Sequence, residues 1–400
     1  MIKNFEKKSK AYALKNAILY NGKAQQGFVI SALFNEGLKK QDMKIYGKKI
    51  SKIILEVNKL SLEKQEKEFE KLKNLISERE IREGLPELPN TEKGVIMRFA
   101  PSPSGALHIG HAMTACLSFD YVMKYKGKFI VRIEDTNPEN IYPKAYKLIE
   151  KDSKWLFNNK AKLVIQSERM ELYYKYAKKL IKSGDAYVCT CSGDDFRKFS
   201  KDKKDCPCRK QSVKENLELW KKMLSKKGYK QGEAVLRFKS PEGMKHKNPA
   251  MRDFPLARIN ETPHPIQKNK FRVWPLMNLS VTVDDIEMKM THIIRAKEHR
   301  DNAKRQKMIY KVLGKKYPWE AYLGRIHFTD MELSSSKITQ GIKQGKYSGW
   351  DDPKLPTIQA LMKKYKPKAF WKLAEHRGLS EVDKHLDKKE FFKLLDEFNK

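Results

Sequence analysis

The chain has 400 residues, a hydrophobic fraction of 40% and a formal net charge of +35 at pH 7. This length allows two to four domains with real cores, and the charge favours a polyanionic partner such as nucleic acid, although a proteome-wide lysine bias is the alternative source. No apolar run is long enough to span a bilayer and the first residues lack the apolar core of a signal peptide. These features argue against a membrane or secreted protein, and we expect a soluble, cytoplasmic one.

The first part of the chain, residues 1–90, is predicted to be a helical N-terminal extension. Apolar residues recur there at helical spacing in successive stretches. These stretches cover residues 12–19, 28–38, 50–60 and 62–82. The proline-rich sequence GLPELPN at residues 84–90 is predicted to be a stiff linker that ends the extension.

The most informative stretch follows at residues 98–111 and reads RFAPSPSGALHIGH. An apolar run around Arg98 predicts a buried strand, the prolines and glycines predict a rigid turn, and the following apolar spacing predicts a helix. His108 and His111 would share a face at the helix N-terminus, where free N–H groups and the helix dipole suit a phosphate. Gly105 and Gly110 have no Cβ, so a base or ribose could approach the backbone closely.

Strands and helices then alternate. Strands are predicted at residues 129–133 and 163–166, and helices at residues 143–157 and 169–183. Such alternation predicts a parallel sheet with crossover helices, in which ligands bind at the carboxyl ends of the strands. Glu134 follows the strand at 129–133, so it and the stretch at 98–111 are expected to share one pocket.

Four cysteines form two close pairs. They are Cys189, Cys191, Cys206 and Cys208, with a polar, lysine-rich loop predicted between the pairs. Four thiolates in short paired spacing predict a closed, tetrahedral site for structural zinc. Four ordinary cysteines are the alternative, as expected for the isolated Cys116.

The cysteine segment opens an insertion that interrupts the alternation. It contains a predicted helix at residues 214–227 and two predicted strands in the sequences GEAVLRFKS and MRDFPLARI. We expect the parallel sheet to resume at Phe271 and to continue with a strand and a helix in the sequence THIIRAKEHRDN. The remaining residues are predicted to form a serine-rich loop and a small helical module.

The stretch at residues 98–111 resembles the HIGH signature of class I aminoacyl-tRNA synthetases, and its PSPSG loop resembles the glutamyl branch. The sequence ALKNAILYNGKA resembles the N-terminal extension of the archaeal and eukaryotic type. The resemblance implies an α/β fold: a Rossmann-type parallel sheet with an inserted, zinc-containing acceptor-binding domain, an N-terminal helical extension and a C-terminal helical stem-contact module. The implied domains are residues 1–90 (extension), 91–185 and 271–330 (catalytic halves), 186–270 (insertion) and 331–400 (loop and stem-contact module).

The same resemblance implies roles for residues in the amino-acid pocket. Glu134 would bind the ammonium group of glutamate, and Arg98 would pair with its side-chain carboxylate. Arg295 would bind a substrate carboxylate, and Ser102 would also contact the amino acid. For Arg295, a surface arginine at a strand end is the alternative. The chain departs from the family at Met277, where many relatives carry a tyrosine that contacts the amino acid.

The second family signature, the KMSKS loop, is expected at residues 332–338, which read ELSSSKI. Lys337 is assigned to the ATP phosphates, although its alignment with the signature's second lysine stays open, and Glu332 is a further departure. The catalytic residues implied are His108, His111 and Lys337. The ATP-binding residues implied are Gly105, His108, Gly110, His111, Ser336 and Lys337.

The resemblance therefore implies a glutamyl-tRNA synthetase that uses ATP, Mg²⁺ and structural Zn²⁺, forms glutamyl-adenylate and charges tRNA(Glu). Whether tRNA(Gln) is also charged stays open. The two anticodon-reading β-barrels of the family are not expected here, so a separate chain that reads the anticodon stays open as well. Three alternatives remain. A glutaminyl enzyme is disfavoured by the PSPSG loop, and a short paralogue that glutamylates a tRNA base is disfavoured by the N-terminal extension. An inactive tRNA-binding homologue is kept because of Met277 and Glu332.

Overall fold

The computed structural model describes residues 4–76 and 84–400, without the side chain of Lys40. The chain divides into two compact units, Met1–Glu83 and Gly84–Lys400. Among the described residues, no helix is both long and apolar enough to cross a lipid bilayer.

The first unit is a small helical bundle with a core of its own. Its core includes Leu14, Val29, Leu33 and Ile50. The buried side chain of Gln65, in the last helix, donates to the carbonyl oxygens of Gly22 and Val57, each at 2.9 Å. These bonds connect the last helix to the turn after the first helix and to the end of the third. The helices are α1 Phe5–Leu19, α2 Gln26–Asn35, α3 Met43–Val57 and α4 Leu62–Leu72.

These helices confirm the four that the sequence predicts, with shifted ends. The predicted helix at residues 62–82 ends as an α-helix at Leu72 and continues as one turn of 3-10 helix at Lys73–Leu75. The part of that prediction at residues 77–82 lies outside the described residues. Residues 84–90 have no regular secondary structure, as predicted.

The second unit alternates strands and helices. Its strands are β1 Ile96–Phe99, β2 Lys128–Ile133, β3 Ala161–Ile165, β4 Ala186–Cys189, β5 Val235–Phe238, β6 Pro255–Ile259, β7 Val273–Pro275, β8 His292–Ala296, β9 Trp319–Leu323, β10 Ile326–Phe328 and β11 Lys384–Leu386. Its helices are α5 Ile109–Lys124, α6 Ala145–Leu156, α7 Met170–Lys182, α8 Gly193–Lys201, α9 Val213–Leu224, α10 Met277–Glu287, α11 Arg300–Val312, α12 Ser335–Lys343, α13 Ile358–Leu361, α14 Pro367–Arg377 and α15 Lys388–Phe398.

The parallel sheet predicted from the alternation is present. Strands β1, β2 and β3 pair in that order and in parallel, and β8 pairs in parallel with β9. The amide of Thr291, just before β8, donates to the carbonyl oxygen of Ile96 in β1 at 3.0 Å. The two parallel groups therefore adjoin, and the carboxyl ends of β1 and β8 lie beside each other.

The insertion forms a separate antiparallel sheet in the order β4-β5-β6-β7. The strand Val273–Pro275 belongs to it, since Ala257 of β6 faces Pro275. The prediction that the parallel sheet resumes at Phe271 is therefore wrong, and parallel pairing resumes at β8. The cause is tertiary: the apolar run around Trp274 packs in the core of the insertion, with Leu256 and Phe238.

A second correction concerns the segment between the cysteine pairs. The sequence predicts a polar loop there, but residues Gly193–Lys201 form α8. Ser192 caps that helix by accepting from the amide of Asp195, and acidic residues in its first turn suit the helix dipole. These local start signals outweigh the polar composition that favoured a loop.

The C-terminal residues pack on the parallel-sheet half. Helix α14 shares the core of α5 through Phe370 and Phe119. Backbone hydrogen bonds from Ile358 to Leu107 (2.7 Å) and from Ile109 to Pro356 (3.0 Å) hold the loop before α5. The turn that precedes α5 is thus positioned by residues that lie about 250 positions later in the chain.

Candidate active site

A cavity of about 760 Å³ lies in the second unit, at the carboxyl ends of β1 and β8 and the N-terminus of α5. This is the edge where a parallel sheet is expected to bind ligands. The structure brings seven of the predicted site residues into its lining. They are Arg98, Ser102, His108, Gly110, His111, Glu134 and Arg295.

The two histidines stack at the first turn of α5, with ring centroids 3.7 Å apart. The Nδ1 atom of His108 accepts from the amide of Gly110 at 3.1 Å, and Nδ1 of His111 accepts from the amide of His108 at 3.4 Å. Because each Nδ1 acts as an acceptor, the proton of each neutral ring lies on Nε2. Both rings therefore keep one N–H donor for a ligand.

The charge of these rings follows from their surroundings. Burial, and then the neighbouring His111, holds the pKa of His108 well below its usual range. Burial lowers the pKa of His111 to about 4. Both imidazoles are thus neutral at pH 7 and offer a ligand hydrogen-bond donors rather than positive charges.

Arg98 lines the cavity but is already paired with a protein carboxylate. Its Nε and Nη2 donate to the two oxygens of Asp285 at 3.1 and 3.2 Å. Burial raises the pKa of Asp285, but the charges of Arg98 and Arg132 outweigh this effect and lower it to about 2. Nη1 of Arg98 has no hydrogen-bond partner among the described residues. It is therefore the nitrogen of this side chain that can still bind a substrate carboxylate, as the sequence predicts.

Arg132, which the sequence did not point to, lies fully buried behind this pair. Its Nη1 donates to Asp285 at 2.6 Å and its Nη2 donates to Glu134 at 3.0 Å. Its Nε lies 3.6 Å from a carboxylate oxygen of Asp284. The buried guanidinium of Arg132 thus orients two carboxylates: that of Glu134, which lines the cavity, and that of Asp285, which holds Arg98.

Glu134 is one of two carboxylates in the cavity lining, and the other, Glu298, is paired with Arg325. Burial raises the pKa of Glu134 above the ordinary value, while Arg132 and then Arg98 oppose this rise. The hydrogen bond from Arg132 favours the carboxylate form, which is the form that binds an ammonium group.

Arg295 also lines the cavity, and it donates from Nη1 to Gln306 at 3.0 Å and from Nη2 to the hydroxyl of Tyr317 at 3.2 Å. Arg295 is buried, which rules out the alternative of a surface arginine at a strand end. Met277, at the start of α10, is 40% exposed and also lines the cavity.

Three of the residues predicted to bind substrate or ATP are not in the cavity lining. Gly105 faces the indole of Trp350: a Cβ at Gly105 would lie 2.2 Å from Cη2. Its missing Cβ therefore makes room for Trp350 rather than for a base. Ser336 and Lys337 lie on α12, beyond the lining residues Leu333 and Ser334.

Lys337 is 71% exposed on its side chain and pairs with Glu332 at 3.0 Å. The backbone amide of Ser334 donates to the same Glu332 carboxylate at 2.8 Å. The serine-rich segment is therefore held by its own acidic residue, with the lysine outside the cavity.

The four cysteines converge in the insertion. Their sulfur atoms all lie within 4.8 Å of one another, with Cys189 to Cys206 at 3.9 Å and Cys191 to Cys208 at 3.7 Å. A tetrahedral metal with bonds of about 2.3 Å to sulfur places its ligands about 3.8 Å apart. The geometry thus fits a metal ion bound by four thiolates.

Comparisons with known proteins agree with this site. Residues 94–396 match the family described as tRNA synthetases class I (E and Q), catalytic domain. The chain belongs to this family.

Two curated relatives of this synthetase family extend the match to the first unit. The glutamate–tRNA ligase of Methanocaldococcus jannaschii is 44% identical over 384 residues, which cover 94% of this chain and 68% of the relative. The glutamate–tRNA ligase of Pyrococcus furiosus is 44% identical over 391 residues, with the same coverage of 94% and 68%.

A solved structure is similar in fold. The glutamate–tRNA synthetase of Elizabethkingia anophelis superposes with a TM-score of 0.54 at 20% identity, over 75% of this chain and 69% of that one. At this identity the likeness concerns the class I synthetase fold alone, and it supports the α/β architecture with a parallel sheet.

Proposed function

We propose that this chain activates glutamate with ATP and transfers the glutamyl group to the 3′ end of tRNA(Glu). The observation that carries the proposal is that one cavity is lined by the neutral pair His108 and His111, by the carboxylate of Glu134, and by several arginines that include Arg98 and Arg295. This set matches what a dicarboxylic amino acid and a nucleotide phosphate require. The two curated glutamate–tRNA ligases, 44% identical over most of the chain, support the same reaction.

In the first step the α-carboxylate of glutamate attacks the α-phosphate of ATP in line, and pyrophosphate leaves. The Nε2–H groups of His108 and His111 would donate to phosphate oxygens as negative charge moves onto them. The N-terminus of α5 would add its own amides and dipole. Positioning and electrostatic stabilisation supply the rate, and no covalent enzyme intermediate is needed.

The amino acid would be held at both of its charged ends. Glu134 would accept the ammonium group, and Nη1 of Arg98 and the guanidinium of Arg295 would face carboxylate oxygens. Ser102, exposed at the cavity, would donate or accept a further hydrogen bond. Met277 would contribute apolar contact where a tyrosine hydroxyl is more usual.

Lys337 would bind the ATP phosphates after release from Glu332, with Ser336 beside it. The exposed ion pair contributes about 0–1 kcal/mol, so triphosphate binding can readily replace it. Gly341 and Gly345 follow in the same segment. The φ of Gly345 is +74°, a left-handed backbone conformation that favours glycine. Mg²⁺ would accompany the triphosphate.

We also propose that Cys189, Cys191, Cys206 and Cys208 hold a structural Zn²⁺ in the insertion. Bound zinc would tie β4 to the segment after α8, and no ligand position would remain for a substrate. The basic insertion would contact the tRNA acceptor end and the C-terminal helices its stem. The cytoplasm, where thiols stay reduced, is the compartment that fits.

The proposal is tested by charging total tRNA with labelled glutamate or glutamine in the presence of ATP and Mg²⁺, with the His108→Ala variant as the control. We expect acid-precipitable glutamate with the wild-type chain and strong loss in the variant. Charging with glutamine alone would indicate the glutaminyl enzyme. The absence of any charged tRNA would contradict the proposal and favour the inactive homologue.

A further inference from the structure

Gln306, on α11, lines the cavity although its side chain is only 1% exposed. Its Oε1 accepts two hydrogen bonds, from Nη1 of Arg295 at 3.0 Å and from the hydroxyl of Tyr317 at 3.3 Å. This pair of donors fixes the orientation of the amide. The reversed orientation would place the amide NH₂ against the guanidinium, with two donors facing each other.

With Oε1 used in this way, Nε2 is the remaining polar end. Within the described part of the chain Nε2 has no hydrogen-bond partner, and neither has Nε of the neighbouring Arg295. A buried donor without a partner costs about 1–3 kcal/mol, so native proteins rarely keep one unless a ligand or water satisfies it. Here two such donors belong to residues that both line the cavity.

The ligand that fits these donors is an anion with acceptor oxygens. Arg295 supplies a positive charge, and Gln306 supplies N–H groups and no further acceptor. The nearby protein carboxylate, Asp285, is already bound by Arg98 and Arg132. A carboxylate from the substrate would satisfy both unpaired donors at once.

The proposed function leaves one substrate carboxylate for this position. The ammonium group is assigned to Glu134, and the reacting α-carboxylate must reach the phosphate at His108 and His111. The side-chain carboxylate of glutamate is therefore the group left for the wall formed by Arg295 and Gln306. We propose that Gln306, held by Arg295 and Tyr317, is a specificity-determining residue that binds this side-chain carboxylate.

The proposal rests on the proposed function and adds a reason for discrimination. A wall that presents only donors accepts both oxygens of a carboxylate. The carboxamide of glutamine has only one acceptor oxygen, so its NH₂ group would face one of these donors. Neither that donor nor the NH₂ group would then have a hydrogen-bond partner. Sites built in this way reject the mismatched analogue, because the buried polar groups of the protein then lack partners.

Gln306→Glu is the sharpest test, because it keeps an acceptor for Arg295 and Tyr317 and replaces only the free end by an anionic oxygen. Gln306→Met removes the donor without adding charge and covers the case in which the first variant folds poorly. Gln26→Glu is the matched control: it also replaces an amide by a carboxylate and can still accept from the Ser51 hydroxyl, but it lies exposed on α2 in the first unit. Thermal unfolding compares the folding of all three.

The first measurement is pyrophosphate exchange with tRNA present, which gives KM for glutamate and for ATP. The second is the inhibition of this exchange by norvaline, an amino acid without a side-chain carboxylate. Loss of a hydrogen bond to a charged group predicts that KM for glutamate rises roughly 10- to 100-fold in both Gln306 variants. KM for ATP and the inhibition constant of norvaline should change less than about twofold on the same reasoning. The preference for glutamate over glutamine should also fall in Gln306→Glu.

Two results would overturn the proposal while the proposed function stands: an unchanged KM for glutamate in both variants, or equal weakening of glutamate and norvaline. The second result would mean that Gln306 serves the α-carboxylate or the fold. A wild-type chain that cannot use glutamate at all would instead refute the proposed function, and this proposal would fall with it.

Discussion

Arg98 forms a two-point ion pair with Asp285 at 3.1 and 3.2 Å, so the arginine expected to hold the substrate is itself held by the protein. The same carboxylate receives Arg132 at 2.6 Å. Two cations therefore share one buried anion at the cavity wall. Arg98 is fixed in position before any ligand arrives, which lowers the entropy cost of binding a carboxylate.

Replacing Asp285 by asparagine leaves both arginines without this carboxylate, and we expect the free energy of unfolding to fall by about 3–5 kcal/mol at pH 7. The pKa of Asp285 is about 2, below its ordinary value of 3.8. Its ionised form therefore stabilises the fold above about pH 4, and this contribution, about 2 kcal/mol, is lost as the pH falls through 2. Denaturation measured between pH 2 and 7 should show a smaller acid loss in the variant.

The control for that prediction is Asp351→Asn, which removes an exposed ion pair with Lys363. We expect a change below about 1 kcal/mol there. Equal stability losses in the two variants would contradict the role assigned to the buried pair.

Replacing His108 by asparagine should keep the cap of α5, because asparagine is a good N-cap residue, but remove the Nε2–H donor. We expect kcat of glutamate activation to fall by about 10²- to 10³-fold while the melting temperature changes little. The exposed His376→Asn is the control and should keep wild-type kcat.

The pH profile of the wild-type chain is a separate prediction. The pKa of His108 lies well below its usual range and that of His111 is about 4, so neither ring titrates between pH 6 and 8. We therefore expect kcat to show no step from the titration of His108 or His111 in that interval. A rate that increases as the pH falls through 6.5, the ordinary histidine value, would indicate that an imidazolium is required.

Gly105→Ala should destabilise the second unit, because the new Cβ would lie 2.2 Å from the Trp350 ring. Overpacking of this kind costs typically 1–3 kcal/mol. Gly27→Ala is the control: it lies in α2 with nothing within 4 Å of the added carbon, and a gain of roughly 0.5–1 kcal/mol is expected from helix propensity. Adding Trp350→Phe to Gly105→Ala should recover part of the loss; no recovery would argue against this contact.

Metal analysis of the purified chain should give about one zinc per chain for a single four-thiolate site. Cys206→Ala should abolish zinc binding, whereas Cys116→Ala, which alters a buried cysteine on α5 outside the cluster, should retain the metal. Retention of zinc by the Cys206 variant would contradict the assignment.

Lys337→Ala should raise KM for ATP and lower kcat, together by roughly 10- to 100-fold in kcat/KM, because one charged contact to the phosphates is lost. Lys343→Ala, exposed on the same helix, is the control. Comparable kinetics for the two variants would mean that Lys337 stays on Glu332 during catalysis.

The amino-acid sequence predicts the local part of this site well. The strand, turn and helix around His108 follow from short-range patterns, and the structure contains them as β1 and α5. The cysteine cluster could likewise be predicted. The two cysteines of each pair are close in the sequence, so only one longer-range contact, between the two pairs, is needed to bring all four together. The structure brings their sulfur atoms within 4.8 Å of one another.

The long-range part could not be predicted in the same way. Arg132 bonds to Asp285 across 153 positions, and Gly105 makes room for Trp350 across 245 positions, so neither role is visible in a local window. One signal was present: an arginine inside the apolar strand β2 and two adjacent aspartates at the end of an apolar helix are costly to bury alone. Such isolated charges in apolar elements indicate a buried ion pair, although the sequence does not say with which partner.

The most direct measurement for the proposed reaction compares labelled glutamate on intact tRNA and on tRNA whose terminal ribose has been oxidised with periodate. The proposed function predicts a base-labile glutamyl ester on intact tRNA and none on the oxidised tRNA, with loss of the ester in His108→Asn. Labelling that persists on oxidised tRNA would contradict it, because the glutamyl group would then reside on a base. No labelling of intact tRNA would contradict it as well.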